Sequence, residues 1–186
     1  MMDPNTFKTR WEANGDRVVP LDTDVLQPMN LKLETTHFLA TSGLPEDAAP
    51  YLSFSGDMYG RRMTDLFDDL DTGYSRFISL GFDGAGNRIA IDTDCNDMIV
   101  WLDHEDEFRS TFMNSSIAAL AAFLLEIKYL IKLTISTRGD DAVLDQDFDR
   151  VHLDELMKRL NAIDHRALDE GNFWKMELQM FLGVSL

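Results

Sequence analysis

The sequence has almost no cysteine, since Cys95 is the single one in 186 residues. A lone cysteine cannot form a disulfide within the chain, and residues 1–19 lack the basic start and apolar run of a secretory leader. We therefore expect a protein of the reducing cytoplasm. A chain of this length buries about 70% of the surface that its unfolded form exposes, so we expect one domain over residues 1–186 with a sufficient core.

Positive charge is scarce: 17 Lys and Arg residues stand against 33 Asp and Glu residues, for a net charge of −16. A field of this sign repels phosphates, so nucleic acids and anionic membranes are not expected partners, whereas a basic macromolecule is. A membrane span is also missing, because the only long apolar run, residues 117–135, contains Glu126, Lys128 and Lys132. That run predicts a buried helix.

Apolar periodicity predicts an α+β fold, with an antiparallel sheet and helices packed on it. Strand-like runs cover residues 51–54, 74–82, 87–92 and 98–103, and the short turns 83–87 and 93–97 make the last three an antiparallel meander. Helical patterns cover residues 3–15, 33–42, the long run from 117, and a segment after residue 150. Residues 58–71 form an acidic insert of ambiguous structure, and a polar linker covers 136–149.

Details of the helices follow from capping and spacing. Asn114 or Ser115 is the expected N-cap of the long helix, which we place centrally on the sheet. In the helix after residue 150, one face is apolar and the other is an ordinary solvated face with Asp154, Glu155, Lys158, Arg159 and Asp164. The aromatic and aliphatic residues of the last segment are expected to dock on the domain: Phe173, Trp174, Leu178, Phe181 and Leu182.

No complete catalytic signature is present, so we do not expect an enzyme. Cys95 and His104 flank a predicted strand, which keeps this nucleophile and base apart. Gly81, Gly84 and Gly86 fit neither a dinucleotide fingerprint nor a phosphate loop, and we interpret them as turn residues of a hairpin. Because a missing motif is a weak argument, a small hydrolase of unrecognised type stays open as an alternative.

A calcium loop is the nearest match to a metal site. Asp92, Asp94, Asn96 and Asp103 occupy positions 1, 3, 5 and 12 of an EF-hand-like spacing. However, Asp97 stands where such loops need glycine, an aspartate replaces the final glutamate, and a strand pattern precedes the loop. We therefore predict an acidic hairpin, with no metal and no cofactor.

The acidic residues are concentrated between positions 92 and 107, where seven carboxylates occur without any Lys or Arg. The simpler interpretation is a solvated surface that keeps the protein soluble. The functional interpretation is a docking face on which carboxylates steer a cationic partner and pair with it, with Trp101 as an anchor or as a core residue. The candidate partner-binding residues are Asp92, Asp94, Asp97, Trp101, Asp103, Glu105, Asp106 and Glu107; the insert 58–71 is the next candidate.

Several phrases in order resemble the SUKH superfamily of bacterial immunity proteins, and most closely its fourth subfamily. They are FLATSGLP (38–45), ISLGFDGAGNRIAID (78–92), VWLDHE (100–105), FMNSSIAALAAFLL (112–125) and GNFWKMELQMFLG (171–183). The Asn-Ser-Ser entry to the long helix is the most telling of them. The acidic insert and the polar linker depart from the pattern, so no partner contact is assigned there by analogy.

The resemblance implies a SUKH-like α+β domain without catalytic activity. Members similar to this one are encoded beside polymorphic toxins and protect the cell by binding the toxin domain, often a nuclease or a deaminase. A basic toxin of that type agrees with the charge of this chain. The same superfamily also includes regulatory scaffold proteins, so a non-catalytic adaptor is the alternative function, and the identity of the neighbouring gene distinguishes the two.

Overall fold

An antiparallel sheet with helices packed on it forms the fold, which confirms the predicted α+β class. The computed structural model describes residues 1–13 and 15–183. The helices are α1 (Pro4–Glu12), α2 (Thr23–Leu26), α3 (Leu33–Thr41), α4 (Ile117–Arg138), α5 (Arg150–Asp164) and α6 (Phe173–Leu182). The strands are β1 (Val18–Val19), β2 (Leu44–Pro45), β3 (Asp47–Ala48), β4 (Leu52–Ser53), β5 (Arg61–Arg62), β6 (Phe77–Phe82), β7 (Arg88–Asp92), β8 (Met98–Asp103) and β9 (Arg109–Asn114).

The main sheet has the strand order β3-β4-β6-β7-β8-β9, and β5 also pairs with β6. The predicted meander of three strands is confirmed as β6, β7 and β8. One expectation was wrong, because residues 74–76 belong to a 3-10 turn rather than to a strand. Residues 109–114, for which no element was predicted, form strand β9. The sequence of β9, RSTFMN, has no clear apolar alternation, because only its last two residues are buried.

Helix α4 lies against the inner face of the sheet and is buried on several sides along its first half, as predicted. Its N-cap is Ser116, whose side chain accepts a hydrogen bond from the third residue of the helix; the expected caps Asn114 and Ser115 were wrong. Within the ranges 1–13 and 15–183, no helix is long and apolar enough to cross a membrane.

Asn114 and Ser115, which precede the cap, contact other helices, so the Asn-Ser-Ser phrase connects α4, α5 and α6. The side-chain oxygen of Asn114 accepts a hydrogen bond from Trp174 Nε1 of α6 at 2.8 Å. Ser115 donates to Asp164 of α5 twice, from its backbone N at 2.6 Å and from its Oγ at 3.0 Å. Asp164 is therefore buried, and its assignment to the solvated face of α5 was wrong.

The acidic insert covers the outer face of the sheet. A small apolar cluster forms there between four buried sheet residues and the insert, so the insert is a layer of the fold as well as an acidic segment. The sheet contributes Phe77, Ala90, Val100 and Leu102, and the insert contributes Met63, Leu66, Phe67 and Leu70.

One glycine has a different role from the predicted one. Gly81 lies inside β6 rather than in a turn, and a Cβ at this position would lie 2.0 Å from the carbonyl oxygen of Ser53 in β4. Glycine is therefore required for the close approach of these strands.

Both ends of the chain follow the predictions in part. The N-terminal helix starts after an Asp3 cap, as expected, but ends at Glu12, and Asn14 of the predicted range lies outside the described residues. The C-terminal helix docks through its predicted residues, with Phe173, Trp174, Leu178 and Leu182 buried and Phe181 partly buried. Residues 184–186 also lie outside the described residues.

Candidate partner-binding surface

Strand β8 divides the acidic run into two groups at opposite ends of the sheet. Asp92 pairs with Met98 at the start of β8, and Asp103 pairs with Arg109 at its end. The six residues of this strand span roughly 17 Å. The residues of the EF-hand-like spacing are therefore not brought together, because strand β8 holds Asp103 away from Asp92. In the part of the chain that the structure describes, no group of His, Cys, Asp and Glu side chains is arranged to hold a metal ion.

Two of the three carboxylates at the first end point into the fold. Asp92 is 1% exposed, lies 3.6 Å from Arg76 Nε, and accepts a hydrogen bond from the backbone N of Asp94. Asp97 is 4% exposed, and its Oδ2 accepts a hydrogen bond from the backbone N of Lys32 at 2.7 Å. These two candidate partner-binding residues are therefore structural acceptors in the folded chain, and only Asp94 of this group is exposed.

Cys95 lies in the same turn and is exposed. The neighbouring carboxylate of Asp92 raises the pKa of the thiol, because a negative charge nearby opposes a thiolate. His104 lies beyond the other end of β8, where its Nδ1 is 2.7 Å from Asn87 Oδ1. The structure thus confirms the strand that was predicted to separate this nucleophile and base.

Three of the four carboxylates at the second end point outward. Glu105, Asp106 and Glu107 are all exposed in the loop between β8 and β9. The loop is held from below, since Asp103 Oδ1 accepts a hydrogen bond from the Glu105 backbone N at 3.0 Å, and Tyr74 Oη donates to the Glu107 carbonyl oxygen at 2.6 Å. Because its backbone is fixed, the loop presents its carboxylates without having to order on binding.

The acidic insert lies beside this loop. The Phe67 ring packs on the Phe108 ring with their centroids 5.2 Å apart, and Asp68 and Asp69 follow Phe67 at exposed positions. The two acidic segments that were separate candidates in the sequence therefore meet. We define the acidic face as Glu105, Asp106 and Glu107 of the loop with Asp68 and Asp69 of the insert.

Trp101 is partly buried and belongs to the interior side of this region. Its Nε1 donates to Asp83 Oδ2 at 2.8 Å, and its ring centroid lies 6.2 Å from that of Phe173 in α6. Trp101 thus joins the sheet, the 83–87 turn and α6, and the interpretation as a core residue describes it better than that of an exposed anchor.

The 83–87 turn lies between the acidic face and α6. The backbone N of His104, beside the acidic loop, donates to Asn87 Oδ1 at 3.1 Å. On the other side of the turn, burial raises the pKa of Glu177 in α6, and the nearby Asp83 carboxylate raises it further.

Sequence reasoning missed the exposed apolar residues near this end of the sheet. Tyr51 is 76% exposed, and on α6 the side chains of Met176 and Met180 are 40% and 65% exposed. The signal was present in part, because Met176 and Met180 are spaced i, i+4 on the helix face opposite to the docked aromatic residues. Nothing in the local sequence marks Tyr51 as exposed.

Comparison with known proteins identifies the family. The family model described as SUKH-4 immunity protein matches residues 10–180. No curated protein and no solved structure matches the chain.

Proposed function

The chain belongs to the SUKH-4 immunity protein family, and on this premise we propose that it binds and neutralises a cognate polymorphic toxin domain with a basic, nucleic-acid-directed active site, of the nuclease or deaminase type. The family supports the immunity role. The charge of the chain and the geometry of the acidic face support the class of toxin.

The single observation that carries the proposal is the outward display of carboxylates at one end of the sheet. The acidic face has five exposed carboxylates on two segments that the Phe67–Phe108 contact holds together. Among the residues in ranges 1–13 and 15–183, only Asp106 of these five has an ion pair, with Arg109 at 2.9 Å. The others are free to pair with a partner.

A toxin that acts on nucleic acid needs Lys and Arg side chains in its cleft to hold phosphates. Carboxylates on a fixed loop can occupy those positions in place of phosphates, and the net charge of −16 accelerates the encounter. Neutralisation then follows from occlusion of the cleft, and no catalytic step by this protein is required.

Co-expression tests the proposal. The toxin domain encoded in the adjacent reading frame is produced in a bacterial host with or without this protein, and growth and toxin activity on RNA, DNA or nucleosides are measured. We expect survival, a stable complex on gel filtration and loss of toxin activity at equimolar ratio. A neighbour without a toxin domain, or a toxin that stays fully active, contradicts the proposal and favours the adaptor function.

A further inference from the structure

Helix α6 has an outer face that residues 1–13 and 15–183 leave exposed. Its inner side is buried through Phe173, Trp174 and Leu178, whereas Met176 and Met180 are exposed one turn apart on the other side. Methionine side chains are flexible and polarisable, and they adapt to irregular apolar surfaces on a partner. A helix that exposes two of them is suited to contact another apolar surface.

The loop before α5 extends this face at the C-terminal end of α6. Gln146 Nε2 donates to the carbonyl oxygens of Met180 and Phe181 at 2.8 and 3.2 Å, so the loop is held against the end of the helix. Two residues earlier, Leu144 is 80% exposed. The same loop places exposed carboxylates beside the apolar side chains, at Asp140, Asp141 and Asp145.

Glu177 lies on the same helix, between the exposed Met176 and the buried Leu178 in sequence. It is partly buried, and no hydrogen bond or ion pair to it is formed by the residues that the structure describes. Burial and the nearby Asp83 carboxylate raise its pKa. A desolvated carboxylate without a partner is unfavourable, and a cation brought by another protein removes that cost.

Tyr51 lies at the other border. Tyr51 packs against Gly84 of the 83–87 turn, since a Cβ added to Gly84 would lie 3.2 Å from the Cβ of Tyr51. The φ of Tyr51 is 63°, which is unusual for a non-glycine residue. Asp83 of this turn is the neighbour of Glu177, and Asn87 of the turn contacts the acidic loop through His104. The 83–87 turn therefore links Tyr51 and Glu177 to the acidic loop.

We propose that the α6 face, defined as Tyr51, Leu144, Met176, Glu177 and Met180, binds an amphipathic segment of the toxin in which apolar side chains are flanked by Lys or Arg. This inference rests on the proposed function and names the second part of the same interface. Charge selects the occupant, because two copies of a chain with net charge −16 repel each other, as does an anionic lipid surface. Aromatic and methionine residues next to carboxylates suit a basic amphipathic partner.

Two probes test the α6 face: the toxin domain of the adjacent reading frame, and a 14-residue amphipathic helical peptide made of Leu and Lys. The test variant is Met176→Ala with Met180→Ala, and the matched control is Val25→Ala with Leu33→Ala, which removes apolar side chains that are 38% and 83% exposed on α2 and α3. Neither variant changes the net charge, and equal melting temperatures establish that both are folded.

We expect the test variant to bind both probes at least tenfold more weakly, through faster dissociation, while the control variant binds like the unmodified protein. A peptide with Glu in place of Lys is expected not to bind. Unchanged affinity of the test variant for the Leu–Lys peptide overturns the α6 face as a docking site. Weaker peptide binding with unchanged toxin binding overturns the toxin as its occupant, while the proposed function stands. If the unmodified protein does not bind the toxin, the proposed function is wrong, and so is the toxin as the occupant of the α6 face.

Discussion

Both ends of strand β8 are rich in carboxylates, which are mostly buried at one end and mostly exposed at the other. At one end, Asp92 and Asp97 are buried and accept hydrogen bonds from backbone N–H groups or face Arg76. At the other end, Glu105 and Glu107 point into solvent from a loop whose backbone is satisfied by other groups. The comparison teaches that acidic density in a sequence does not identify a docking surface. What differs between the two ends is whether the fold encloses the carboxylate together with its hydrogen-bond donor.

Helix α5 repeats the comparison within one element. Asp154 is exposed and pairs with Arg150 one turn earlier, at 3.1 Å. Asp164, at the end of the same helix, is buried and accepts both hydrogen bonds of Ser115. Surface ion pairs of the first kind contribute little to stability, whereas the loss of a buried acceptor leaves its donors unsatisfied.

The largest effect is therefore expected at Asp164. Asp164→Ala should lower the free energy of unfolding by about 2 to 4 kcal/mol, because the backbone N–H and the hydroxyl of Ser115 both lose their acceptor. Urea unfolding measures this difference. Asp154→Ala is the control in the same helix, with an expected change of about 0.5 kcal/mol or less. Similar losses in the two variants would remove the distinction between inward and outward carboxylates.

A smaller effect is expected at Asp97, where two substitutions separate backbone conformation from hydrogen bonding. Asp97 has a φ of 58°, a region that Asn tolerates and Ala disfavours, and its carboxylate accepts from Lys32. Asp97→Ala should cost about 2 kcal/mol of unfolding free energy, and Asp97→Asn, which keeps an acceptor oxygen, about 1 kcal/mol or less. Thermal or urea denaturation that finds no cost in either variant would show that this carboxylate is not a structural acceptor.

A change of opposite sign is expected at Glu177. The pKa of Glu177 is raised in the folded protein, so the folded state binds the carboxyl proton more tightly than the unfolded state does. The free energy of unfolding therefore falls as the pH rises from the pKa of the unfolded state through that of the folded state. Glu177→Gln should therefore stabilise the protein slightly at pH 7. The gain should vanish below about pH 4, where the carboxyl is protonated in both states. Melting temperatures at pH 4 and pH 7 test this, and a variant that is less stable at pH 7 would contradict the unpaired state of Glu177.

Much of the fold could be predicted from the sequence because its elements have clear periodicity. Strands β7 and β8 are continuous apolar runs bounded by turn residues, and α4 has an apolar sequence on several sides. Strand β9 was missed because its exposed first half carries no pattern. The covering role of the insert was missed because its apolar residues are separated by aspartates, so the segment has neither a helical nor a strand period.

The candidate surface could be predicted only in part, for a physical reason. The sequence places Glu105, Asp106 and Glu107 in a turn, which favours exposure. It does not reveal that Lys32, sixty-five positions before Asp97, presents a backbone N–H to it. Nor does it reveal that Phe67 and Phe108 bring two acidic segments together. Such long-range contacts depend on the packing of the whole domain.

Association kinetics with the toxin domain test the central claim most directly. The test variant neutralises Glu105, Asp106 and Glu107 by substitution with Gln, Asn and Gln. The control neutralises Asp24, Glu34 and Glu46 in the same way; these residues are also exposed and carry the same total charge. Electrostatic steering depends on where the charge lies, so we expect the test variant to associate with the toxin roughly tenfold more slowly than the control at low salt. The difference should shrink as salt is added, and both variants should remain folded. Equal association rates for the two variants at low salt would contradict the acidic face as the surface that meets the toxin.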